Sequence, residues 1–200
     1  MKLLYSATSP YVRKVRVAAR EKGVQQQIEE ILSNPFEREP KLLQANPLGK
    51  VPALILDNGQ VLYDSPVICE YLDSLSAEPE LLPTSEQRWS VLRAQALADG
   101  VLDVAVAIVL ERRRPESEQS PAAIKHWQEQ IQASVKNMPE QLNAIAGSVN
   151  LGHIAMAVAL SYLDFRHDEL QWRKSAAPEL GDWHSEFSGR QSMQDTRPPA

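Results

Sequence analysis

A small α/β layer followed by an all-helical domain is the architecture that the sequence predicts, and three observations predict it. Short strand-like and helix-like segments alternate up to about residue 77. Strand signals vanish from Glu86 onward, where long apolar-periodic stretches take over. Between the two textures runs a polar connector bracketed by Pro79 and Pro83. The expected division is an α/β domain over 1–77, a linker over 78–85 and an all-helical domain over 86–200.

The elements of the first domain follow in order. Lys2–Tyr5 reads as a strand. Val12–Lys22 reads as a helix with Val12, Val15 and Ala19 on one face and Gly23 as its stop. Ile28–Leu32 is a second short strand, ahead of the turn-rich Ser33-Asn34-Pro35. A short helix is expected at Pro40–Ala45, ended by Asn46-Pro47-Leu48-Gly49. Ala53–Asp57 and Val61–Tyr63 flank Asn58-Gly59, a dipeptide suited to the positive φ angles of a two-residue hairpin turn. A helix from Ser65 carries Val67, Ile68, Tyr71, Leu72 and Leu75 in helical register.

In the second domain, Trp89–Arg112 is apolar along most of its length. Pro121–Ala146 places Ile124, Trp127, Ile131, Val135, Met138, Leu142 and Ile145 at steps of three and four, an amphipathic helix that Pro139 should kink or interrupt. Leu151–Phe165 is apolar on nearly all sides, which predicts a central, buried helix. Pro178–Arg190 repeats the pattern weakly with Leu180, Trp183 and Phe187, and the tail from Thr196 is expected to be loose.

Composition narrows the function. Apolar residues make up 43% and charged residues 24%, as in ordinary globular proteins. A formal charge of -5 leaves no basic excess to neutralise phosphates, so nucleic acid is not the expected partner. The apolar start of the chain is too short for a signal peptide, and no run of about 18 apolar residues occurs, so a cytoplasmic protein without membrane contact is expected. Cys69 is the only cysteine, which excludes an intramolecular disulfide and a cysteine-based metal cluster. His126, His153, His167 and His184 are not spaced as metal ligands, and no metal is expected. Thiol chemistry must then use Cys69, which lies among core positions and reads as a packing residue, or a thiol brought by a ligand.

Four segments, in this order, resemble the cytosolic glutathione transferase family. They are Ser9-Pro-Tyr-Val-Arg-Lys-Val-Arg16, Asn46-Pro-Leu-Gly-Lys-Val-Pro-Ala-Leu54, Leu62-Tyr-Asp-Ser-Pro-Val-Ile-Cys-Glu-Tyr-Leu72, and Asn150 to Arg166. The resemblance implies a thioredoxin-like N-terminal domain that binds glutathione as co-substrate, joined to an all-α C-terminal domain. It further implies a homodimer that conjugates a small apolar electrophile or reduces a peroxide, the chemistry of detoxification.

The resemblance also assigns roles, each with a physical basis. Val51-Pro52 resembles the cis-proline whose preceding residue pairs its N–H and C=O with the cysteinyl backbone of glutathione, like a strand added at a sheet edge. Ser65 and its amide would hold the γ-glutamyl carboxylate at a helix N-terminus, with Ser65 as N-cap and Pro66 at the first helical position. Asp64 would face the γ-glutamyl ammonium; the family more often has Glu or Gln there. Lys50 would steady the glycyl carboxylate, or be solvated surface, and Asn34 could assist. Ser9 would donate its hydroxyl to the ligand sulfur, with Thr8 as the rival donor, or would only cap the first helix. Tyr11, Val104, Ile108, Arg112 and Arg113 are candidate walls for the second substrate, although Arg112–Arg114 equally fits a solvated helix C-terminus. Asp99 could reach the γ-glutamyl ammonium across a dimer.

Two departures stand out. Relatives that form a mixed disulfide have cysteine where Ser9 stands, so that adduct is impossible here. His153 replaces the acid of the capping box that Asn150 opens. Glutathione-dependent disulfide reduction or isomerisation, and a non-catalytic protein that binds a protein partner, remain alternatives to transfer.

Overall fold

The computed structural model describes residues 1–199. Four strands form one mixed sheet: β1 (Lys2–Tyr5), β2 (Glu29–Leu32), β3 (Ala53–Ile55) and β4 (Val61–Leu62), in the order β2-β1-β3-β4. β1 and β2 run parallel, with Leu4 opposite Ile31, because helix α1 (Pro10–Glu21) carries the chain across between them. β3 and β4 are antiparallel, with Leu54 opposite Leu62, joined by the Asn58-Gly59 turn, and Gly59 holds φ at +84°. α2 (Pro40–Ala45) and α3 (Ser65–Ser74) complete this layer, and α1 packs along α3.

The core here is built from alternate faces. Leu4 and Ala53 from the sheet meet Val12 of α1, Leu42 and Ala45 of α2, and Val51, with Tyr5, Ile31, Ile55 and Val61 around them. Val15, Val17 and Ala18 of α1 are buried, as are Ile68, Cys69 and Leu72 of α3. At about 25 cal/mol per Å² of apolar surface removed from water, this burial is what fixes both helix N-termini against the sheet.

The helical part contains α4 (Gln87–Glu111), α5 (Pro121–Ala144), α6 (Leu151–Arg166), α7 (Trp172–Ser175) and α8 (Pro178–Ser188). α6 packs mainly on α4, and every residue from Leu151 to Leu160 is buried. Asn150 caps it: Oδ1 accepts from the His153 N–H at 3.2 Å, while Nδ2 donates to the Ile145 carbonyl. Gly152 lets α6 approach closely, since a Cβ there would lie 3.0 Å from the Ala94 Cβ of α4. His153 packs against the rings of Trp183 and Phe187, so the residue that breaks the capping box serves the core instead.

Two expectations are corrected. α5 does not stop at Pro139 but continues to Ala144. Proline there removes one hydrogen bond; buried Ile131, Val135 and Met138 anchor the helix ahead of it, and partly buried Leu142 and buried Ile145 follow it. The tail is tied down at its first residue, Thr196, by the segment before it, while 197–199 take no regular secondary structure. Contacts divide the chain into two units, Pro83–Gly189 and a first unit in which Met1–Leu82 is joined by the segment from Arg190 onward. That segment forms α9 (Gln191–Gln194) on α1. Arg190 donates to Glu21 through Nε at 2.8 Å and Nη2 at 2.7 Å, and the Ser192 hydroxyl donates to the same carboxylate. Met193 and Thr196 are buried. Ala200 lies outside the described residues.

The connector is also tied down. Leu81 and Leu82 are buried, and their N–H groups donate to the two carboxylate oxygens of Asp73 at 2.8 and 3.0 Å. Asp73 in turn pairs with the Nζ of buried Lys22 at 2.8 Å. No described helix is long and apolar enough to cross a membrane.

Candidate functional site

Ser9 sits between β1 and α1 in extended backbone, with φ -75° and ψ 122°. Pro10 follows at the first helical position, where its missing N–H is no loss. The Ser9 hydroxyl oxygen accepts from the Val12 N–H at 3.3 Å. A hydroxyl accepts through lone pairs and donates through its single hydrogen. The cap bond therefore leaves the Ser9 hydrogen available, and the two roles weighed for this residue are compatible. Thr8 lies in the preceding turn, which the Ser9 N–H closes on the Ser6 carbonyl at 3.2 Å.

The second segment is a turn organised by Asn46. Its Nδ2 donates to the Lys50 carbonyl at 2.8 Å and its Oδ1 accepts from the Leu48 N–H at 3.0 Å. Gly49 closes the turn at φ +64°, a conformation that favours glycine. The Lys50 side chain is exposed, and Val51 and Pro52 are buried. The Val51–Pro52 peptide is cis, as is Tyr63–Asp64. The topology corrects one detail: β3 lies between β1 and β4, so it offers no free sheet edge along its length. The free backbone is at Val51, ahead of the first ladder pair, where neither N–H nor C=O bonds another backbone group among the described residues.

At α3 the cap is shifted by one residue from the expectation. Asp64 is the N-cap, Ser65 occupies the first helical position and Pro66 the second. The Ile68 N–H closes on the Asp64 carbonyl at 3.0 Å, and this backbone closure, rather than a side chain, defines the start. Asp64 makes no side-chain cap bond, so its exposed carboxylate is not consumed by the helix. Ser65 is buried at the helix entry, among first-turn N–H groups that lack intrahelical partners.

Asn34 is committed to its own loop. Its N–H donates to Glu39 at 2.9 Å, its Nδ2 to Glu37 at 2.7 Å, and its Oδ1 accepts from the Phe36 N–H at 3.0 Å. Glu39, which also accepts from the Ser33 hydroxyl, is held below the usual carboxylate range by the Asn34 N–H and then by that hydroxyl. Asn46 and Glu39 are the organising residues that the sequence reading missed. The signal for Asn46 was its place ahead of Pro-Leu-Gly; Glu39 carried none.

The remaining candidates fall into place within their units. Cys69 is buried in α3. Ile108 lies in α4 and is fully buried. Val104 is partly buried, and Asp99 lies in α4. Arg112 pairs with Glu169 at 2.7 Å, while Arg114 pairs with Glu111 and Glu118, the arrangement of a solvated helix end.

Residues 8–75 match the model of the glutathione S-transferase N-terminal domain. The GST-like protein YibF of Escherichia coli (strain K12) is 35% identical over 203 residues, with 100% of this chain and 99% of that protein covered. The chain belongs to the glutathione transferase family. The likeness extends to a solved structure of a family member from Pseudomonas fluorescens Pf-5 with bound glutathione. That structure has 39% identity and a TM-score of 0.95, covering 100% of this chain and 99% of the other. A second structure from the same organism holds S-(propanoic acid)-glutathione, with 38% identity, a TM-score of 0.91 and all of both chains covered. The mixed sheet, the helical unit and the family's architecture agree throughout the chain.

Proposed function

We propose that this family member is a glutathione transferase in which the Ser9 hydroxyl stabilises the thiolate of bound glutathione for attack on an electrophile or a peroxide. The observation that carries the reading is the Ser9 cap: its oxygen is engaged with the helix at 3.3 Å, and its hydrogen is left for the ligand sulfur. A free thiol with a pKa near 8.5 is only a few per cent ionised at neutral pH. A hydrogen bond to a charged group contributes about 1.5–3 kcal/mol, which is roughly 1–2 pKa units. The N-terminus of α1 pulls the same way. Together these make the thiolate the main species near neutrality.

In this reading the Val51 backbone pairs with the cysteinyl residue beside Pro52. Asp64 receives the γ-glutamyl ammonium, and Ser65 with the first-turn N–H groups of α3 receives the γ-glutamyl carboxylate. Lys50 faces the glycyl carboxylate, and Asn34 shapes the adjoining loop. The glutathione bound to the Pseudomonas relative and the S-(propanoic acid)-glutathione bound to the second one support glutathione as the ligand. The scheme needs no metal, because the nucleophile is supplied by the ligand. Family membership supports a cytoplasmic homodimer acting in detoxification.

Calorimetric binding of glutathione and S-hexylglutathione to wild type and Ser9→Ala tests the proposal. Both ligands should bind wild type, and Ser9→Ala should keep S-hexylglutathione while losing turnover of a generic electrophile. Failure of both ligands to bind at millimolar concentration would refute it.

A further inference from the structure

The peptide that joins Lys50 to Val51 is held at one end only. Its carbonyl accepts from the Nδ2 of Asn46 at 2.8 Å, and Asn46 is buried, at 2% exposure. The peptide is trans, the nearest cis bond being Val51–Pro52. A trans peptide is planar, with its C=O and N–H projecting to opposite sides of the chain. The Lys50 carbonyl is drawn inward to Asn46, so the Val51 N–H points outward from the turn. That N–H has no partner among the described residues, and Val51 keeps 8% exposure beside the exposed Lys50.

Asn46 is built into the turn in a way that holds this direction. Its Oδ1 accepts from the Leu48 N–H at 3.0 Å, its own N–H donates to the Leu42 carbonyl at 2.7 Å, and its carbonyl accepts from the Gly49 N–H at 2.8 Å. The side chain is therefore fixed between the end of α2 and Gly49, and it does not follow the Lys50 carbonyl if that peptide rotates. Hydrogen bonds in series polarise one another, so a peptide whose carbonyl already accepts is the better donor at its N–H. A native fold rarely leaves the N–H of a buried residue unpaired. Here the unpaired donor sits where the backbone of glutathione is proposed to pair. Asn34 has no equivalent place, because its side chain bonds Glu37 and the Phe36 N–H of its own loop.

We propose that Asn46 is a positioning residue for glutathione, which it serves without touching it. By gripping the carbonyl end of the Lys50–Val51 peptide, it aims the N–H end at the cysteinyl carbonyl of the ligand and polarises that donor. The inference rests on the glutathione reading of Val51 and adds to it the residue that sets the donor's direction.

Calorimetry at about pH 8, above the carboxylate range, compares glutathione with an isostere whose cysteinyl–glycyl amide is an (E)-alkene. The isostere keeps the thiol and both charged ends and lacks the carbonyl. It also lacks the glycyl N–H, a loss common to every protein variant, so the change in ratio between variants isolates the carbonyl. Wild type should bind glutathione roughly 2- to 10-fold more tightly, the range of one neutral hydrogen bond. Asn46→Asp keeps the acceptor for the Leu48 N–H, loses the donor and sets a carboxylate against the Lys50 carbonyl. It should bring the ratio to about one, whereas a merely structural asparagine would weaken both ligands alike and leave the ratio unchanged. If wild type binds glutathione and the isostere equally, or if Asn46→Asp preserves the preference, the inference is overturned and the transferase reading stands. If wild type binds neither glutathione nor S-hexylglutathione, both fall. Should Asn46→Asp fail to fold, the side-chain amide of Asn46 in wild type still decides by nuclear magnetic resonance. Its proton signal should shift when glutathione saturates the site and stay in place with the isostere, because only the carbonyl polarises the shared peptide. Equal shifts with the two ligands, or none with glutathione, overturn the inference.

Discussion

Replacing Asp73 with alanine should cost more stability than replacing its partner Lys22 with methionine, and the structure says why. The Lys22 side chain is 1% exposed and donates to Asp73 at 2.8 Å and to the Pro79 carbonyl at 2.5 Å. Asp73, at 11% exposure, also accepts the N–H groups of Leu81 and Leu82. Asp73→Ala strands a buried ammonium and leaves two amides without their acceptor. Breaking a buried pair in this way costs about 3–5 kcal/mol. In a chain of this length each kcal/mol shifts Tm by roughly 2–4 °C, so a drop of about 6–20 °C is expected. Lys22→Met leaves the carboxylate with both N–H donors, so its cost should stay near 1–2 kcal/mol. All four tryptophans lie between residues 83 and 189, so their fluorescence reports the helical unit. Far-UV circular dichroism and calorimetry are the measurements to use. A Lys22→Met loss equal to or larger than that of Asp73→Ala would refute the reasoning, as would losses under about 1 kcal/mol for both.

Three further outcomes are expected. Burial pushes the Glu21 carboxyl up, but the hydrogen bonds from Arg190 and Ser192 and the charge of Arg190 hold it below its ordinary value on balance. Its contribution is thus complete above the unfolded carboxylate pKa of about 4.3 and lost as pH falls through the lower folded value. Glu21→Ala should speed tryptic cleavage after Arg190 several-fold at neutral pH, measured by mass spectrometry. Burial pushes His167 down, against the Ala105 carbonyl at 2.9 Å, so the native state holds it neutral. The unfolded chain then binds the extra proton, and stability should fall as pH drops below about 6.5 and level off past the folded value. His167→Gln should flatten that slope in Tm measured against pH. Gly152→Ala would push a methyl to 2.8 Å from Ile145 Cδ1 and 3.0 Å from the Ala94 Cβ, a cost of about 1–3 kcal/mol by denaturant titration. Ala94→Gly should restore part of it.

Local chemistry was legible in the sequence and long-range closure was not. Asn58-Gly59 marked the hairpin because such a turn favours a residue free to take positive φ, and Gly59 is the one of the pair that does so. The Leu151–Phe165 stretch announced a buried helix because no face of it is polar. Asn150 declared its cap through a side chain that can reach its own helix. The α3 cap slipped by one residue because Asp64 and Ser65 are both good cap types, and backbone closure rather than composition chose between them. β3 could not be assigned to the sheet interior, since a three-residue strand carries the same pattern at an edge. The return of the segment from Arg190 to α1 left no mark in the sequence, because its partners, Glu21 and Arg13, lie at the other end of the chain. Of the site, the residue types at Ser9, Val51-Pro52 and Asp64-Ser65 were readable. That the Ser9 oxygen and hydrogen serve different partners required the geometry.

The return of residues 190–199 to α1 makes the helical unit, in topological terms, an insertion within the first one. A ribosome emits Met1–Leu82 early, then the whole of Pro83–Gly189, and only afterwards the strand of chain that clasps Glu21. At ordinary translation rates that interval is on the order of ten seconds. Through it, the sheet and α1 exist without α9, and the surface against which Met193 and Thr196 are later buried stays uncovered. The helical unit is contiguous and can fold during the wait. The order of synthesis therefore runs opposite to the order of completion: the domain that begins first is finished last.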